Sequence, residues 1–148
     1  KMMRYQFDKH QGFTLLEMLV VLVIIGLLAG LVGPRILGNV DKAKLQTASV
    51  QIKTIKGALQ TLRLDMGRVP TNEEGLALLQ NPPSDENFKP FWKGPYLEEA
   101  LPLDPWNRPY QYSVPGKDFD FALYSLGEDG QPGGVDYNAD IGYLPPRN

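Results

Sequence analysis

The hydrophobic pattern divides the first 67 residues into three consecutive segments. Residues 1–12 are polar, and their Lys and Arg side chains outnumber their one Asp. A nearly unbroken apolar run follows from Phe13 to Gly33. At about 1.5 Å per residue, this run is long enough to cross the hydrocarbon core of a bilayer as a helix. Because the basic residues precede it, the positive-inside rule predicts a cytoplasmic N-terminus.

The third segment begins near residue 38 and has a different period. Its apolar residues recur at alternating spacings of three and four, which indicates one apolar stripe on an amphipathic helix. We predict a single long helix that kinks near Pro34, because proline lacks a backbone N–H, and that ends at Gly67. The stripe consists of Leu45, Ala48, Ile52, Ile55, Leu59, Leu62 and Met66.

Beyond Gly67 the patterns are shorter and turn residues are frequent. Residues 72–80 are predicted to form a short helix, which a proline-rich loop follows. Alternation over Tyr110–Val114 and Phe119–Ser125, with a Pro-Gly turn between them, predicts two antiparallel strands. Trp106 is expected to pack the stripe against these strands. The predicted fold class is α+β, with a long N-terminal helix packed on a small antiparallel sheet.

Composition excludes several kinds of chemistry. The 148 residues include no cysteine and one histidine, and the formal net charge is −2. If residues 1–12 are removed, neither His nor Cys remains, so Ser-His-Asp and Cys-His catalysis is excluded. The sequence contains no GxxxxGK or GxGxxG phosphate-binding motif, and its charge does not favour nucleic acid. We therefore do not expect an enzyme.

One carboxylate, Glu17, lies within the apolar run. An ionised side chain in hydrocarbon costs roughly 2.5–3.5 kcal/mol on insertion scales. A signal peptide cleaved near residues 27–33, or an uncleaved signal anchor, has no use for this carboxylate. Cleavage after Gly12 would instead leave Phe13 with a protonated α-amino group one helical turn away. Glu17 could then pair with that amine on a neighbouring subunit.

The segment GFTLLEMLVVLVIIGLLAGLVGP resembles the N-terminus of type IV pilins and of type II secretion pseudopilins. The resemblance implies that a prepilin peptidase cuts after Gly12 and methylates Phe13. It also implies that Glu17 is required for subunit assembly and that Pro34 is the helix-kinking proline. The segments LDMGRVPTNEEGLALL, LPLDPWNRPYQY and YSLGEDGQPGGVDYNADI are similar to the major pseudopilins of type II secretion in particular.

The Gly- and Asp-rich C-terminal loop offers oxygen ligands of the kind that calcium prefers. Taken alone, it is more typical of a solvated acidic loop, and Gln131 and Gly133 stand where an EF-hand needs ligands. The resemblance to major pseudopilins implies that this loop holds one calcium ion. The implied ligands are the Leu126 carbonyl and the side chains of Asp129 and Asp136, with Val135, Asn138 and Asp140 as weaker candidates.

The resemblance also implies an organisation and a function. Residues 1–12 would be a leader removed on maturation, residues 13–34 the membrane-spanning and filament-core helix, residues 35–67 its amphipathic half, and residues 68–148 a globular periplasmic region. The subunit would sit in the inner membrane of a Gram-negative bacterium. It would polymerise into a periplasmic pseudopilus that drives export of folded proteins.

The implied partners are other copies of the chain, minor pseudopilins, the inner-membrane assembly platform with its cytoplasmic ATPase, and the prepilin peptidase. Two alternative functions remain open at this point. A type IV pilin of a surface fibre is the first, although many such pilins close a C-terminal loop with a disulfide that this chain cannot form. A calcium-dependent secreted enzyme restricted to carboxylate chemistry is the second.

Overall fold

The computed structural model describes Met3 and residues 12–147, with the backbone alone at residues 34–37. Most of the predicted leader, residues 1–12, therefore lies outside the described residues. The chain divides into two compact units, Lys1–Asn39 and Val40–Asn148.

One helix, α1 (Leu15–Met66), contains both the apolar run and the stripe. Thr14 caps its start, because Thr14 Oγ1 accepts the Glu17 backbone N–H at 3.1 Å. At the other end, the Gly67 N–H donates to the Arg63 carbonyl at 2.7 Å. Gly67 has a φ of 76°, a left-handed conformation that glycine adopts without a steric penalty. The predicted end of the helix is confirmed.

Between Leu15 and Val32, the apolar side chains of α1 are exposed all round the helix. The large apolar side chains from Leu15 to Val32 are each 46–92% exposed. The most apolar 18-residue window has a mean hydropathy of 2.9 and contains no buried residue. By length and composition, this segment can span a membrane. Its exposure distinguishes it from the core helix of a soluble protein, which would be buried.

Within Val40–Asn148, a three-stranded antiparallel sheet forms in the order β1-β2-β3. Tyr112 of β1 lies opposite Leu123 of β2, which in turn lies opposite Tyr143 of β3. The strand bounds are Gln111–Ser113 for β1, Ala122–Ser125 for β2 and Ile141–Tyr143 for β3. β1 and β2 are shorter than the predicted strands, and β3 was not predicted.

The core lies between the amphipathic part of α1 and this sheet. The predicted stripe is buried from Ala48 to Met66, and Leu45 is half-buried. On the sheet side, Phe121 and Leu123 belong to the same buried cluster. The predicted α+β architecture is thus confirmed, because the stripe finds the apolar partner that it requires.

The predicted helix at 72–80 is instead a turn followed by a 3-10 helix, Gly75–Leu79. The Thr71 N–H donates to Glu74 Oε1 at 3.0 Å, and the Glu74 N–H donates to Thr71 Oγ1 at 3.2 Å. This reciprocal pair has the geometry of a capping box. Further 3-10 helices occupy Lys89–Phe91 and Asp136–Asn138.

Candidate functional sites: the N-terminal helix and the C-terminal loop

The predicted processing site immediately precedes α1. Gly12, Phe13 and Thr14 are exposed and lie outside regular secondary structure. Because helix α1 begins at Leu15, the peptide bond after Gly12 is not held in a helical hydrogen-bond ladder. This arrangement suits cleavage after Gly12, which stays a prediction.

Glu17 lies in the first turn of α1 and is exposed. Thr14 and Glu17 have the spacing of a capping box, which is a helix-start signal not predicted above. The positive end of the helix dipole favours a carboxylate at this position. The structure therefore gives Glu17 a local reason to be tolerated, and its role in assembly stays a prediction.

Helix α1 continues without interruption through residue 34. Continuity of the helix does not test whether its axis bends, so the helix-kinking role of Pro34 stays a prediction. A proline at this position removes one i to i−4 hydrogen bond whether or not the axis bends. The helix is therefore locally weakened within its length.

The C-terminal loop folds back so that its two ends lie side by side. The Glu128 N–H donates to the Tyr137 carbonyl at 3.0 Å, and the Gly133 N–H donates to Asp140 Oδ2 at 3.0 Å. A Cβ placed on Gly127 would lie 2.7 Å from the Ala139 carbonyl oxygen, so the two arms are in close contact there. The fold-back brings the Leu126–Asp129 arm next to the Asp136–Asp140 arm.

Asp140 has the most unusual environment of the three aspartates in the loop. Its Oδ1 atom is buried and has no hydrogen-bond partner among the residues that the structure describes. Burial, reinforced by the charge of Asp140, raises the pKa of Tyr124 above its usual value of 10.0. A buried carboxylate oxygen without a partner is energetically costly, so this atom is where a cation would be most stabilising.

The other two aspartates of the loop, Asp129 and Asp136, precede Asp140 in the chain. Asp129 Oδ1 accepts the Gln131 N–H at 3.0 Å, which closes an Asx turn. Asp136 has a φ of 52° and is exposed. Across residues 12–147, no three His, Cys, Asp or Glu side chains converge in a metal-binding cluster. A calcium ion here would therefore need backbone carbonyls in addition to carboxylates, as calcium sites in proteins often use.

One side chain that contacts this loop was not identified from the sequence. Arg108 donates from Nη1 to the Gly127 carbonyl at 2.8 Å and to the Glu128 carbonyl at 3.2 Å. No local sequence pattern connects Arg108 to the loop, because the contact spans about 20 residues and depends on the sheet.

Two family models match the chain. The model described as prokaryotic N-terminal methylation motif matches residues 8–33. The model described as type II secretion system (T2SS), protein G matches residues 35–144. The chain belongs to the protein G family of the type II secretion system.

Individual relatives of the protein G family agree with this assignment. The chain is 46% identical over 138 residues to type II secretion system core protein G of Pseudomonas aeruginosa, covering 93% of this chain and 96% of the relative. The corresponding Vibrio cholerae protein is 42% identical over 134 residues, covering 90% and 91%.

A solved structure agrees as well. The major pseudopilin from the type 2 secretion system of enterohaemorrhagic Escherichia coli superposes with a TM-score of 0.59 at 36% identity. The match covers 72% of this chain and 90% of that chain.

Membership in the protein G family confirms the predicted pseudopilin fold and its function in type II secretion. The N-terminal methylation motif, which includes the exposed apolar residues 15–32 of α1, is that of an inner-membrane-anchored component of the system. The predicted ligands of calcium, the processing residues and the assembly carboxylate are not addressed by these comparisons and stay predictions.

Proposed function

We propose that the chain is cleaved after Gly12, methylated at Phe13 and polymerised with copies of itself into a helical pseudopilus in the periplasm. Growth of this filament would drive folded proteins out of the cell. The observation that carries the proposal is the exposed apolar segment of α1, residues 15–32, which lies within the matched methylation motif of residues 8–33. Such a surface requires lipid or other apolar helices around it.

The same apolar surface serves two environments in turn. In the membrane it contacts lipid, with the basic leader on the cytoplasmic side and Val40–Asn148 on the periplasmic side. In the filament it packs against the corresponding helices of other subunits. Because one apolar environment replaces another, extraction from the bilayer is nearly balanced in free energy.

Glu17 would set the position of each added subunit. In a low-dielectric filament core, an ionised carboxylate is tolerated when it pairs with a cation. The α-amino group created at Phe13 of a neighbouring subunit supplies that cation. A subunit entering at the wrong height would leave both charges unpaired, so the pair favours one axial register.

The proposed role is structural and involves no catalysis by this chain. The sequence has no phosphate-binding loop, so the energy for assembly would come from an ATPase acting in trans through the inner-membrane platform. Minor pseudopilins with the same helical N-terminus would join the filament through equivalent helix packing.

Processing and assembly are tested separately. The intact mass and N-terminal sequence should show N-methylated Phe13 only in cells that contain prepilin peptidase. Glu17→Gln should be processed normally but should abolish filaments seen by electron microscopy. Glu73→Gln, which changes an exposed carboxylate of Val40–Asn148 (the head), should assemble normally. A chain beginning near residue 30, or filaments formed by Glu17→Gln at the normal level, would contradict the proposal.

We also propose one calcium ion in the C-terminal loop, held by the Leu126 carbonyl and the carboxylates of Asp129 and Asp136. Val135, Asn138 and Asp140 are further candidate ligands. Support comes from the buried Oδ1 of Asp140, which has no hydrogen-bond partner within residues 12–147, and from the fold-back that brings the two arms together. Calcium would neutralise carboxylates that otherwise repel one another and would stiffen the loop.

Melting temperatures in calcium and in chelator test this site. At a free calcium concentration 100 times Kd, binding should add about 2.7 kcal/mol to the free energy of unfolding. Asp129→Asn, which changes a proposed ligand, should lose most of this difference, whereas Asp118→Asn, which changes an exposed aspartate outside the loop, should retain it. Equal melting of the unmodified protein in calcium and in chelator would contradict the site.

A further inference from the structure

The side chain of Arg108 contacts the start of the C-terminal loop. Its Nη1 donates to the Gly127 carbonyl at 2.8 Å, and its Nη1 and Nη2 both lie 3.2 Å from the Glu128 carbonyl oxygen. One guanidinium group thus binds two successive carbonyls. The planar fork of arginine suits this paired geometry, which a lysine ammonium cannot reproduce.

Asp104, acting through Ser125, holds the N–H of Gly127, the residue whose carbonyl Arg108 binds. Ser125 Oγ donates to Asp104 Oδ2 at 2.8 Å and accepts the Gly127 N–H at 3.2 Å. Asp104 is 3% exposed, and its Oδ1 also accepts the Arg108 N–H at 2.8 Å. A single buried carboxylate therefore anchors both groups that fix Gly127, one at its N–H and one at its carbonyl.

The contact with Arg108 extends further along the loop. A Cβ placed on Gly130 would lie 2.6 Å from Arg108 Cζ and 2.7 Å from Nε. The guanidinium group therefore packs directly against the backbone at Gly130. It spans Gly127 to Gly130, a segment that follows the predicted ligand Leu126 and contains the predicted ligand Asp129.

We propose that Arg108 is a positioning residue for the calcium site, holding the Gly127–Gly130 arm in its ligand-presenting conformation before calcium binds. This inference rests on the calcium site proposed above. An arm that is already ordered loses less conformational entropy on binding, which raises affinity. The positive charge of Arg108 opposes calcium, but two carbonyl dipoles and solvent around the half-exposed side chain screen that charge.

Calcium affinity of the processed protein, which begins at Phe13, in detergent micelles tests the role of Arg108. Isothermal titration with calcium chloride, after removal of bound metal, should show about tenfold weaker binding by Arg108→Gln. Arg108→Lys should recover part of the loss, because an ammonium group can bind one of the two carbonyls. Arg68→Gln is the matched control, since that guanidinium pairs with Glu74 at 2.6 Å and does not belong to the loop.

Hydrogen exchange in chelator provides a calcium-independent measurement. The amides of Gly127 and Glu128 should exchange faster in Arg108→Gln than in the unmodified chain or in Arg68→Gln. Unchanged exchange, or unchanged calcium affinity of Arg108→Gln, would overturn the positioning role while leaving the calcium site standing. Failure of the unmodified chain to bind calcium would overturn the site itself, and with it the role of Arg108 there.

Discussion

The two parts of α1 differ in where their apolar side chains are directed. From Leu15 to Val32 the large apolar side chains are exposed on every face of the helix, whereas in Val40–Asn148 the apolar stripe is buried against the sheet. The second part is satisfied by contacts within one chain. The apolar side chains of the first part can be buried only by lipid or by other helices. We therefore expect assembly to depend on the first part and the stability of the head to depend on the second.

The largest expected effect comes from truncating the buried stripe. Leu59 is 0% exposed and Leu64, five residues further along the same helix, is 85% exposed. Leu59→Ala should lower the free energy of unfolding by about 2–5 kcal/mol, because it leaves a cavity in the core. Leu64→Ala should change it by less than about 0.5 kcal/mol. Urea denaturation followed by tryptophan fluorescence measures both, and similar losses at the two positions would show that the stripe is not the core.

The helix and its stripe could be predicted because both follow from local periodicity. Strand β3 could not, because it is three residues long and includes Gly142, whose φ is 120°. A Cβ at Gly142 would lie 2.5 Å from the Leu123 carbonyl oxygen, so pairing with β2 selects glycine there. That requirement comes from tertiary structure and leaves no alternating pattern in the sequence.

The prediction that Trp106 packs against the core was wrong for a similar reason. Trp92 packs against the core and donates from Nε1 to the Leu78 carbonyl at 2.7 Å. Trp106, which was expected to fill this role, is half-buried in the turn that Asp104 organises. The turn fixes the backbone of Trp106, whose N–H donates to Asp104 Oδ1 at 3.0 Å, but a turn does not specify which surface the ring covers.

The candidate residues of the C-terminal loop could be identified from the sequence, but the environment of each side chain could not. The sequence showed three aspartates among glycines, and Asp140 was the weakest candidate among them. Asp140 directly precedes β3, and its Oδ1 is buried with no hydrogen-bond partner among the described residues. The burial of Asp140 and the contact of Arg108 with the loop depend on tertiary structure, so neither could be predicted from the local sequence.

The two parts of α1 can also be compared by placing a lysine at one exposed leucine in each part. Leu22 is 63% exposed, so both Leu22 and Leu64 have surface available to a lysine. Leu22→Lys should cost roughly 2.5–3.5 kcal/mol on membrane insertion, since it places an ammonium group in hydrocarbon. Leu64→Lys should be tolerated, because its surroundings are aqueous. The membrane-bound fraction after alkaline extraction measures the difference, and equal retention of the two variants would mean that the apolar half does not lie in lipid.

The smallest expected effect lies in the head alone. The hydrogen bond from Arg68, at 2.6 Å, lowers the pKa of Glu74 below its usual value of 4.5. Because the folded pKa is the lower one, this pair stabilises the fold above about pH 4.5, and the contribution is lost as the pH falls through the folded pKa. The difference in melting temperature between the unmodified chain and Glu74→Gln should therefore be a few degrees at pH 6 and should shrink toward pH 3.

Glu73→Gln is the matched control for this titration, since Glu73 is exposed and adjacent to Glu74 in sequence. It should change the melting temperature little at either pH. Membrane retention of Glu74→Gln should equal that of the unmodified chain, because the pair lies wholly within Val40–Asn148. Loss of retention together with the melting shift would mean that the head and the anchor are not energetically independent, and the division of α1 into two separately satisfied parts would then be wrong.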